Sequence, residues 1–242
     1  MRHVKIARYS YQGAIAFGIV DEHELVVLTS DPMFAGFDTT GDRVALADVK
    51  LLAPVIPRSK VVAMVSAEAF VLRPNTAVVG PGDAIVLPAA SEQIEVDGQL
   101  AIIIGKIAKN VSPADALSRV FGYTVATVVT AANLASGVAG AFDTFLPLGP
   151  VIETEFDEAS SALRGLINDE EFQAVALDDD DRMTEDTVSA LVAFASSVFT
   201  LLPGDVILPG RLDTPTAVVD GDTITMAIAG IGSLVNPVVR PA

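Results

Sequence analysis

The chain has 242 residues, 51% of them hydrophobic and 19% charged, which predicts a folded protein with a substantial core and excludes a disordered one. Its formal net charge of −16 and its lack of a basic cluster exclude a nucleic-acid partner, because binding to a phosphate backbone depends on concentrated Lys and Arg. The absence of cysteine excludes disulfides, thiol nucleophiles and cysteine-bound metals.

Residues 1–50 are predicted to form a small β-rich N-terminal domain. The apolar runs HVKIARYS, GAIAFGIVD and ELVVLTS are short and separated by Gly, Asp and Pro, as in antiparallel strands joined by turns. The next stretch, VKLLAPVIPRSK (Val49 to Lys60), contains two prolines. It is interpreted as the linker into a second, larger domain over residues 51–242.

The second domain is predicted to contain many strands and two helices. Strand-like runs include VVAMVS, the apolar run that ends at Gly105, and YTVATVVTAANL, with a tight turn at Gly80 to Asp83. One helix is predicted to begin after Ser112, with Pro113 at its first position and helically spaced apolar residues as far as Phe121 (Ala116, Leu117, Val120 and Phe121). The other is predicted to begin after Thr184. Because strands outnumber helices, the predicted fold class is a β-rich α+β protein.

Other features limit the location and the metal chemistry. Apolar runs such as LAIIIG are much shorter than a membrane span, and MRHVKIARYSYQG lacks the apolar core of a secretory signal. We therefore expect a soluble cytoplasmic protein without a membrane partner. The two histidines, His3 and His23, lie near the N-terminus, so any metal is expected to be a hard cation held by oxygens. The run LDDDDR (Leu177 to Arg182) lacks alternating ligands and a turn glycine, and is interpreted as a solvated loop.

A row of oxygen-bearing side chains on one strand is the main candidate site. Glu95, Asp97 and Gln99 alternate along SEQIEVDGQLAIIIG, so they are expected to point to the same face of a sheet. Carboxylate and amide oxygens suit Mg²⁺ or Mn²⁺. The same pattern also fits a polar strand face at the mouth of a pocket, and both interpretations are open at this point.

The order of several long motifs resembles the fumarylacetoacetate hydrolase family. The motifs are LRPNTAVVGPGDAIVLP, VDGQLAIIIGK, NVSPADALSRVFGYTVA, FDTFLPLGP, SSVFTLLPGDVILPG and GDTITMAIAGIGSLVNPVV. They lie between Leu51 and Val239, and residues 1–50 resemble the small N-terminal domain of bacterial members. The resemblance implies a mixed β-roll domain and a homodimer. It also implies a Mg²⁺, Mn²⁺ or Ca²⁺ ion that stabilises developing negative charge on 2-oxo or 1,3-dicarbonyl carboxylic acids during hydrolysis, decarboxylation or isomerisation.

Matched to this family residue by residue, the metal site is incomplete. The resemblance places two metal carboxylates of a Glu-x-Glu sequence at Asp97 and Gln99, and a third carboxylate, from an Asn-Asp-Val sequence, at Val128. One carboxylate and one neutral amide therefore stand in place of three carboxylates, and Val128 cannot bind a metal. We expect a Mg²⁺ or Mn²⁺ site at Asp97, Gln99 and Glu95 to be weak or vestigial, and we expect no other cofactor.

Other positions that the family uses also differ. The family's lid segment, Asn-Tyr-x-x-His, is missing, since only VVAMVSAEAFVL separates Lys60 from Arg73. Gly140 replaces a family lysine in GAFDTF, and Pro209 to Leu212 replace a Thr-Gly-Thr-Pro turn. Arg73 keeps the positive charge of another family lysine and, with Thr130, is a candidate for binding a substrate. No residue is assigned a catalytic role.

Three functional hypotheses follow. The first is a pseudoenzyme that has lost metal-dependent catalysis and keeps the fold for ligand binding, homodimerisation or pairing with an active paralogue. The second is a divergent metal-dependent hydrolase, isomerase or decarboxylase. Its shifted site would use Glu95 and Asp97, with Gln99 and Thr130 as neutral ligands. Arg73 would then hold a substrate carboxylate. The third is a small-molecule sensor. The first is favoured, because metal ligands, base and lid are lost together.

Overall fold

The computed structural model describes residues 4–156, 161–177 and 183–241, which form eighteen strands and four helices. The strands are β1 (Lys5–Tyr11), β2 (Ala14–Asp21), β3 (Glu24–Leu28), β4 (Thr39–Ala45), β5 (Lys50–Leu51), β6 (Val61–Ser66), β7 (Ala69–Arg73), β8 (Val78–Val79), β9 (Ile85–Val86), β10 (Ile94–Ile104), β11 (Val120–Ala131), β12 (Leu146–Glu153), β13 (Ala162–Ile167), β14 (Glu170–Ala176), β15 (Val206–Leu208), β16 (Thr216–Ala217), β17 (Thr223–Ile228) and β18 (Gly232–Val239). The helices are α1 (Pro32–Ala35), α2 (Pro113–Ala116), α3 (Ser136–Ala139) and α4 (Glu185–Val198).

The strands form two mixed sheets that pack on each other. The larger sheet has thirteen strands in the order β4-β3-β2-β1-β12-β11-β10-β15-β6-β7, with β5, β8 and β16 paired to β1, β12 and β10. The smaller sheet has five strands in the order β14-β13-β17-β18-β9. Strand β10 contacts β13, and β11 contacts β17 and β18, so the two sheets meet face to face. The predicted β-rich α+β fold class is confirmed.

The N-terminal strands continue the larger sheet. Strands β1 to β4 form an antiparallel meander, and β1 also pairs with β12 through Lys5 opposite Glu153 and Ile6 opposite Ile152. The predicted linker contains β5, where Leu51 pairs with Tyr9. Residues 4–45 are therefore joined to the rest of the chain by a shared sheet as well as by the segment that follows them.

Strand β10 is the centre of the fold and is buried on both faces. On one face, Val96, Leu100 and Ile102 pack in a core that includes residues of the smaller sheet. On the other face, Ala101 and Ile103 pack in a second core. A strand buried on both faces reads as an uninterrupted apolar run, which explains the sequence from Leu100 to Ile104. Polar groups earlier in the strand must find hydrogen-bond partners, because burial removes them from water.

Gly98 lies where the smaller sheet approaches β10 most closely. A Cβ atom there would be 2.8 Å from Met226 Sδ, so only glycine fits. The Gly98 N–H donates to Gln173 Oε1 at 2.8 Å, and Gln173 Nε2 donates back to the Gly98 carbonyl at 3.4 Å. This pair of bonds fixes β10 to the smaller sheet at the residue between Asp97 and Gln99, whose side chains point to the opposite face.

The two predicted helices have different outcomes. Helix α4 is confirmed, and Thr184 Oγ1 accepts a hydrogen bond from the Thr187 N–H at 3.3 Å, as an N-terminal cap does. Helix α2 begins at Pro113 as predicted, but it ends after four residues, and the predicted continuation to Phe121 is wrong. Strand β11 begins at Val120, which pairs with Ile104, so sheet pairing overrides the helical spacing. No helix in the described ranges is long and apolar enough to cross a membrane.

Candidate functional site

A cavity of about 630 Å³ opens beside β10 and β11, under the hairpin of β6 and β7. The two hairpin strands are joined by two residues, Ala67 and Glu68, and the hairpin forms one wall of the cavity. Helices α3 and α4 and the turn after β15 complete it. The lining residues are Ala63, Met64, Val65, Ser66, Ala67, Val71, Arg73, Asp97, Gln99, Val128, Thr130, Ser136, Ala139, Gly140, Thr187, Leu191, Pro209, Gly210 and Arg211.

The register of β10 and β11 places the candidate metal residues on one face. Glu95 lies opposite Thr130, Asp97 opposite Val128, and Gln99 opposite Ala126. Asp97, Gln99, Val128 and Thr130 line the cavity, and Glu95 is outside the lining and partly exposed. The sheet therefore places Asp97 and Gln99 together in the cavity, as strand alternation predicts, with the apolar Val128 directly across from Asp97.

Asp97 is held by two neighbours that are not carboxylates. Gln99 Nε2 donates to Asp97 Oδ2 at 2.7 Å, and Arg211 Nε lies 3.8 Å from Asp97 Oδ1. The Gln99 amide is itself oriented, because its Oε1 accepts from the Gly210 N–H at 3.3 Å. Both Asp97 oxygens therefore face nitrogen groups, and the Gln99 oxygen is directed to the turn that carries Arg211.

Burial controls the charge state of Asp97, which is 1% exposed. Loss of water raises the pKa of Asp97 from 3.8 to about 6, while the hydrogen bond from Gln99 and the positive charges of Arg211 and Arg73 act to lower it, and Glu95 acts to raise it. At neutral pH the carboxylate is mostly ionised, and its counter-charges are guanidinium groups.

Arg73 lines the same cavity and is 7% exposed. Its Nη1 donates to the carbonyls of Val129 at 2.9 Å and Phe145 at 3.3 Å, and its Nη2 donates to Thr130 Oγ1 at 3.4 Å. Its Nε is buried without a hydrogen-bond partner. Burial lowers the pKa of Arg73 to about 10, so the side chain remains a cation at neutral pH. The two candidate substrate-binding residues, Arg73 and Thr130, are thus in contact.

The residues present do not fit a divalent metal ion. Among the described residues, no group of three or more His, Asp or Glu is placed to hold one. The position opposite Asp97 is Val128, and a guanidinium stands near the carboxylate that a metal would need. Mg²⁺ depends on carboxylate charge and on near-ideal oxygen geometry, and neither is supplied here. The acidic run predicted as a solvated loop lies outside the described residues, apart from the buried Leu177.

Two residues that organise this site were missed as site residues in the sequence. Arg211 is recognisable as a departure from the Thr-Gly-Thr-Pro turn, but its contact with Asp97 depends on how that turn packs against β10. A cation gained together with the loss of carboxylates is the signal that could have identified it. Gln173 is 75 residues from Gly98 in the chain, and no local pattern connects the two.

Comparison with known proteins identifies the family and agrees with the fold. Residues 47–239 match the family described as "Fumarylacetoacetate (FAA) hydrolase C-terminal", and residues 4–54 match the domain described as "Rv2993c-like, N-terminal". The chain belongs to the fumarylacetoacetate hydrolase family. The resemblance in the sequence motifs is therefore confirmed, and the mixed β-roll that it implies is the fold described above.

Similar proteins of this fumarylacetoacetate hydrolase family are of several kinds. Protein Rv2993c of Mycobacterium tuberculosis is 38% identical, over 83% of each chain. The crystal structure of 2-hydroxyhepta-2,4-diene-1,7-dioate isomerase from Mycobacterium marinum superposes with a TM-score of 0.89 at 35% identity, over 99% of each chain. Maleylpyruvate hydrolase from Sphingobium sp. SYK-6, in complex with a manganese(II) ion and pyruvate, has a TM-score of 0.82 at 28% identity, over 98% of this chain and 100% of the hydrolase. The relatives thus include an isomerase and a manganese-binding hydrolase.

Proposed function

We propose that this protein is a pseudoenzyme of the fumarylacetoacetate hydrolase family, which binds a small molecule in its cavity without metal-dependent turnover. The observation that carries the proposal is the group formed by Asp97, Gln99 and Arg211. The guanidinium near Asp97 supplies positive charge where the family would use a dication. The Gln99 amide donates to the same carboxylate, so it acts as a donor and not as a metal ligand.

The titratable groups of the cavity also support the proposal. Of the described residues that line it, Arg73, Asp97 and Arg211 are the charged ones, and no histidine or lysine accompanies them. A general base must lie within hydrogen-bond reach of the proton that it removes. Asp97 is the one carboxylate among the described residues of the lining, and its oxygens face Gln99 and Arg211. This arrangement favours binding over proton abstraction.

The test combines metal titration with an activity screen on one sample. We expect calorimetry with Mg²⁺ and Mn²⁺ to show no specific site. We also expect no hydrolysis of acylpyruvates, including maleylpyruvate, and no tautomerisation or decarboxylation of oxaloacetate above background. The maleylpyruvate hydrolase serves as the positive control. Turnover in the ordinary enzyme range, about 1–10³ s⁻¹, would overturn the proposal.

The alternative is a divergent metal-dependent hydrolase, isomerase or decarboxylase, and one observation favours it. The cavity remains open, and Arg73 with Thr130 stands in it as a group that could hold a substrate carboxylate. A shifted metal site at Glu95 and Asp97 would then be required. The same titration separates the two functions, because the alternative requires a metal ion that binds with Asp97 and is lost in Asp97→Asn.

The assembly and the location remain predictions. We propose a homodimer, or a heteromer with an active paralogue, because closed two-fold symmetry is the commonest arrangement of soluble oligomers. Sedimentation equilibrium of the purified protein, alone and mixed with a family enzyme from the same organism, tests both forms of assembly. The expected cytoplasmic location is tested by cell fractionation.

A further inference from the structure

A second cavity lies where the N-terminal strands meet the β-roll. Its volume is about 310 Å³, and among the described residues it shares no lining side chain with the cavity beside β10 and β11. Strands β1 and β2, helix α1, the linker before β6 and the turn before β15 all contribute to its wall. Ligand sites are common at junctions between domains, and cavities of about 300–1,000 Å³ hold small organic molecules. The second cavity is therefore large enough for a small ligand.

The wall of the second cavity is largely apolar and includes three phenylalanine rings. Phe17 lies on β2, Phe34 on α1 and Phe121 on β11. The ring of Phe37 lies parallel to that of Phe121, with the ring centroids 6.5 Å apart. Phe34 is 51% exposed, and Phe37 and Ile56 are also exposed. Large apolar side chains in contact with water at the mouth of a cavity favour a ligand whose apolar part covers them.

Contacts between the segments fix the shape of the second cavity. A Cβ atom at Gly204, in the turn before β15, would lie 3.5 Å from Val55 Cγ2 and 3.9 Å from Met33 Sδ. The turn, the linker and α1 therefore pack closely at this point. The carboxylate of Asp31 caps α1, since its Oδ1 accepts a hydrogen bond from the Met33 N–H at 3.0 Å. The cavity is thus largely preformed, and Asp31, the acidic residue of its described lining, has a structural role.

Two arginines of the lining have unused hydrogen-bond donors. Arg8 lies opposite Phe17 in the pairing of β1 with β2, and its Nη1 donates to the Ala53 carbonyl at 3.3 Å. The Arg58 guanidinium lies over the Phe34 ring, with its Cζ 4.3 Å from the ring centroid. Neither arginine is paired with a carboxylate of the described residues. Each guanidinium has five N–H donors in a plane that suits the oxygens of an acidic group, so donors are available to a ligand.

We propose that the second cavity binds a small planar aromatic molecule that carries one acidic group. The ring lies against Phe34 and Phe121, and the acidic group accepts hydrogen bonds from Arg58, with Arg8 as the second donor. This class follows from what the wall combines, since aromatic faces suit a ring and guanidinium groups suit oxygens that carry negative charge. The inference goes beyond the proposed function, because none of these residues lines the cavity beside β10 and β11.

Calorimetry with three matched compounds tests the ligand class. The compound 2-naphthalenesulfonate has the ring and the acidic group, 2-naphthalenesulfonamide has the ring without the charge, and methanesulfonate has the acidic group without the ring. We expect the first to bind at least about tenfold more tightly than either of the others, because it alone uses both parts of the wall. Equal affinity for the sulfonamide would overturn the role of the arginines, and equal affinity for methanesulfonate would overturn the role of the rings.

Two further compounds identify the acidic group. In 2-naphthyl phosphate and 2-naphthoate the ring is the same, and a phosphate or a carboxylate replaces the sulfonate. The acid that binds most tightly defines the group that fits the arginines. If none of the three aromatic acids binds, the assignment of the site is wrong.

Arginine variants test the position of the acidic group. Arg58→Gln should weaken binding of 2-naphthalenesulfonate about five- to tenfold and leave that of the sulfonamide unchanged, because glutamine lacks the charge. Arg43→Gln is the matched control, since this exposed arginine of β4 is paired with Asp21 and Glu24, and it should change neither affinity. Arg8→Gln gives a second loss, provided that thermal unfolding shows a folded variant. Equal affinity for the sulfonate in wild type and in both cavity variants would overturn the proposed position.

Apolar variants test the position of the ring and identify the cavity. Phe34→Ala should weaken the sulfonate and the sulfonamide alike, about fivefold, since both use the ring. Ile15→Ala, on an exposed side chain of β2 outside the described lining, is the control and should change neither. Val65→Trp narrows the cavity beside β10 and should also change neither. If Val65→Trp abolishes binding and Phe34→Ala does not, the compounds bind in that other cavity and the inference fails.

These outcomes are independent of the proposed loss of catalysis. If the aromatic acids do not bind while the metal titration and the activity screen are negative, this inference fails and the pseudoenzyme proposal stands. If the acids bind with the expected dependence on Arg58 and Phe34 while the screen shows turnover, the inference stands and the pseudoenzyme proposal fails.

Discussion

The guanidinium of Arg73 occupies the space that any side chain at Gly140 would need. A Cβ atom at Gly140 would lie 2.6 Å from Arg73 Nη2 and 2.8 Å from its Nε. The resemblance assigns a lysine to each of these positions in the family, whereas this chain has one arginine and one glycine. The planar guanidinium of Arg73 therefore fills the volume that a side chain at position 140 would occupy, and it packs directly against Gly140.

The first prediction concerns this packing. Gly140→Ala should lower the free energy of unfolding by about 1–3 kcal/mol, because the new methyl group overlaps a buried guanidinium that cannot move freely. The backbone at Gly140 has φ −112°, which alanine adopts without strain. The loss of stability therefore comes from steric overlap with Arg73 and not from backbone strain. Urea unfolding measures the change.

Two further variants make this prediction specific. Gly137→Ala is the matched control in the same segment, since a Cβ there meets nothing within 4 Å, and it should be neutral or slightly stabilising. In an Arg73→Ala background, Gly140→Ala should cost much less than in wild type. An equal cost in both backgrounds would mean that the two side chains do not compete for space.

The second prediction concerns repair of a metal site. Asp97→Glu, Gln99→Glu and Val128→Asp together would supply the three carboxylates that the family resemblance implies at these positions. We expect this triple variant to bind Mn²⁺ poorly, because Arg211 still stands beside the restored acids and repels a dication. Adding Arg211→Thr should allow Mn²⁺ to bind, which calorimetry can measure. We expect no activity to return, since the resemblance also implies a lid segment with a histidine that has no counterpart between Lys60 and Arg73.

The comparison between triple and quadruple variants tests the role of Arg211. If the triple variant alone binds Mn²⁺ as well as the quadruple variant, Arg211 does not oppose the metal. If neither binds, the positions assigned to the three carboxylates are wrong. Both proteins should first be shown to unfold cooperatively, because three acids in a buried site repel one another at neutral pH.

Local sequence patterns predict which strand residues share a face of this site, but they do not predict contacts between residues that are distant in the chain. Strand alternation places Glu95, Asp97 and Gln99 on one face, because the side-chain period of a strand does not depend on distant contacts. The contact of Arg211 with Asp97 joins positions 114 residues apart through a turn that packs against β10, and no local pattern encodes it. The same limit explains why α2 is short. The apolar residues after Ala116 are spaced as in a helix, but Val120 pairs with the distant Ile104 in the sheet.

The third prediction concerns the link between the two sheets. Gln173→Leu should lower the free energy of unfolding by about 1–3 kcal/mol, because it leaves the buried N–H of Gly98 without an acceptor. The exposed Gln93, changed to Leu, is the matched control and should change stability little. Ligand binding in the cavity should also weaken in Gln173→Leu, since Gly98 lies between Asp97 and Gln99. A variant as stable as wild type would show that the Gln173 amide does not hold β10.

The fourth prediction is a pH dependence set by Asp97. Its pKa in the folded protein, about 6, lies above its ordinary value of 3.8, so the folded state binds this proton more tightly than the unfolded chain. Protonation of Asp97 therefore stabilises the fold at low pH. This contribution decreases as the pH rises from about 4 to about 6, and it is absent well above the folded pKa.

Asp97→Asn removes this titration and provides the measurement. Between pH 5 and pH 8, the free energy of unfolding of wild type should fall by about 1.4 kcal/mol relative to Asp97→Asn, as the proton equilibrium requires. The exposed Asp169, changed to Asn, should give a pH profile parallel to that of wild type. If the Asp97→Asn and wild-type profiles are parallel from pH 5 to pH 8, the pKa of Asp97 is not raised by burial. The carboxylate would then be better solvated or more tightly paired with Arg211 than the 3.8 Å contact indicates.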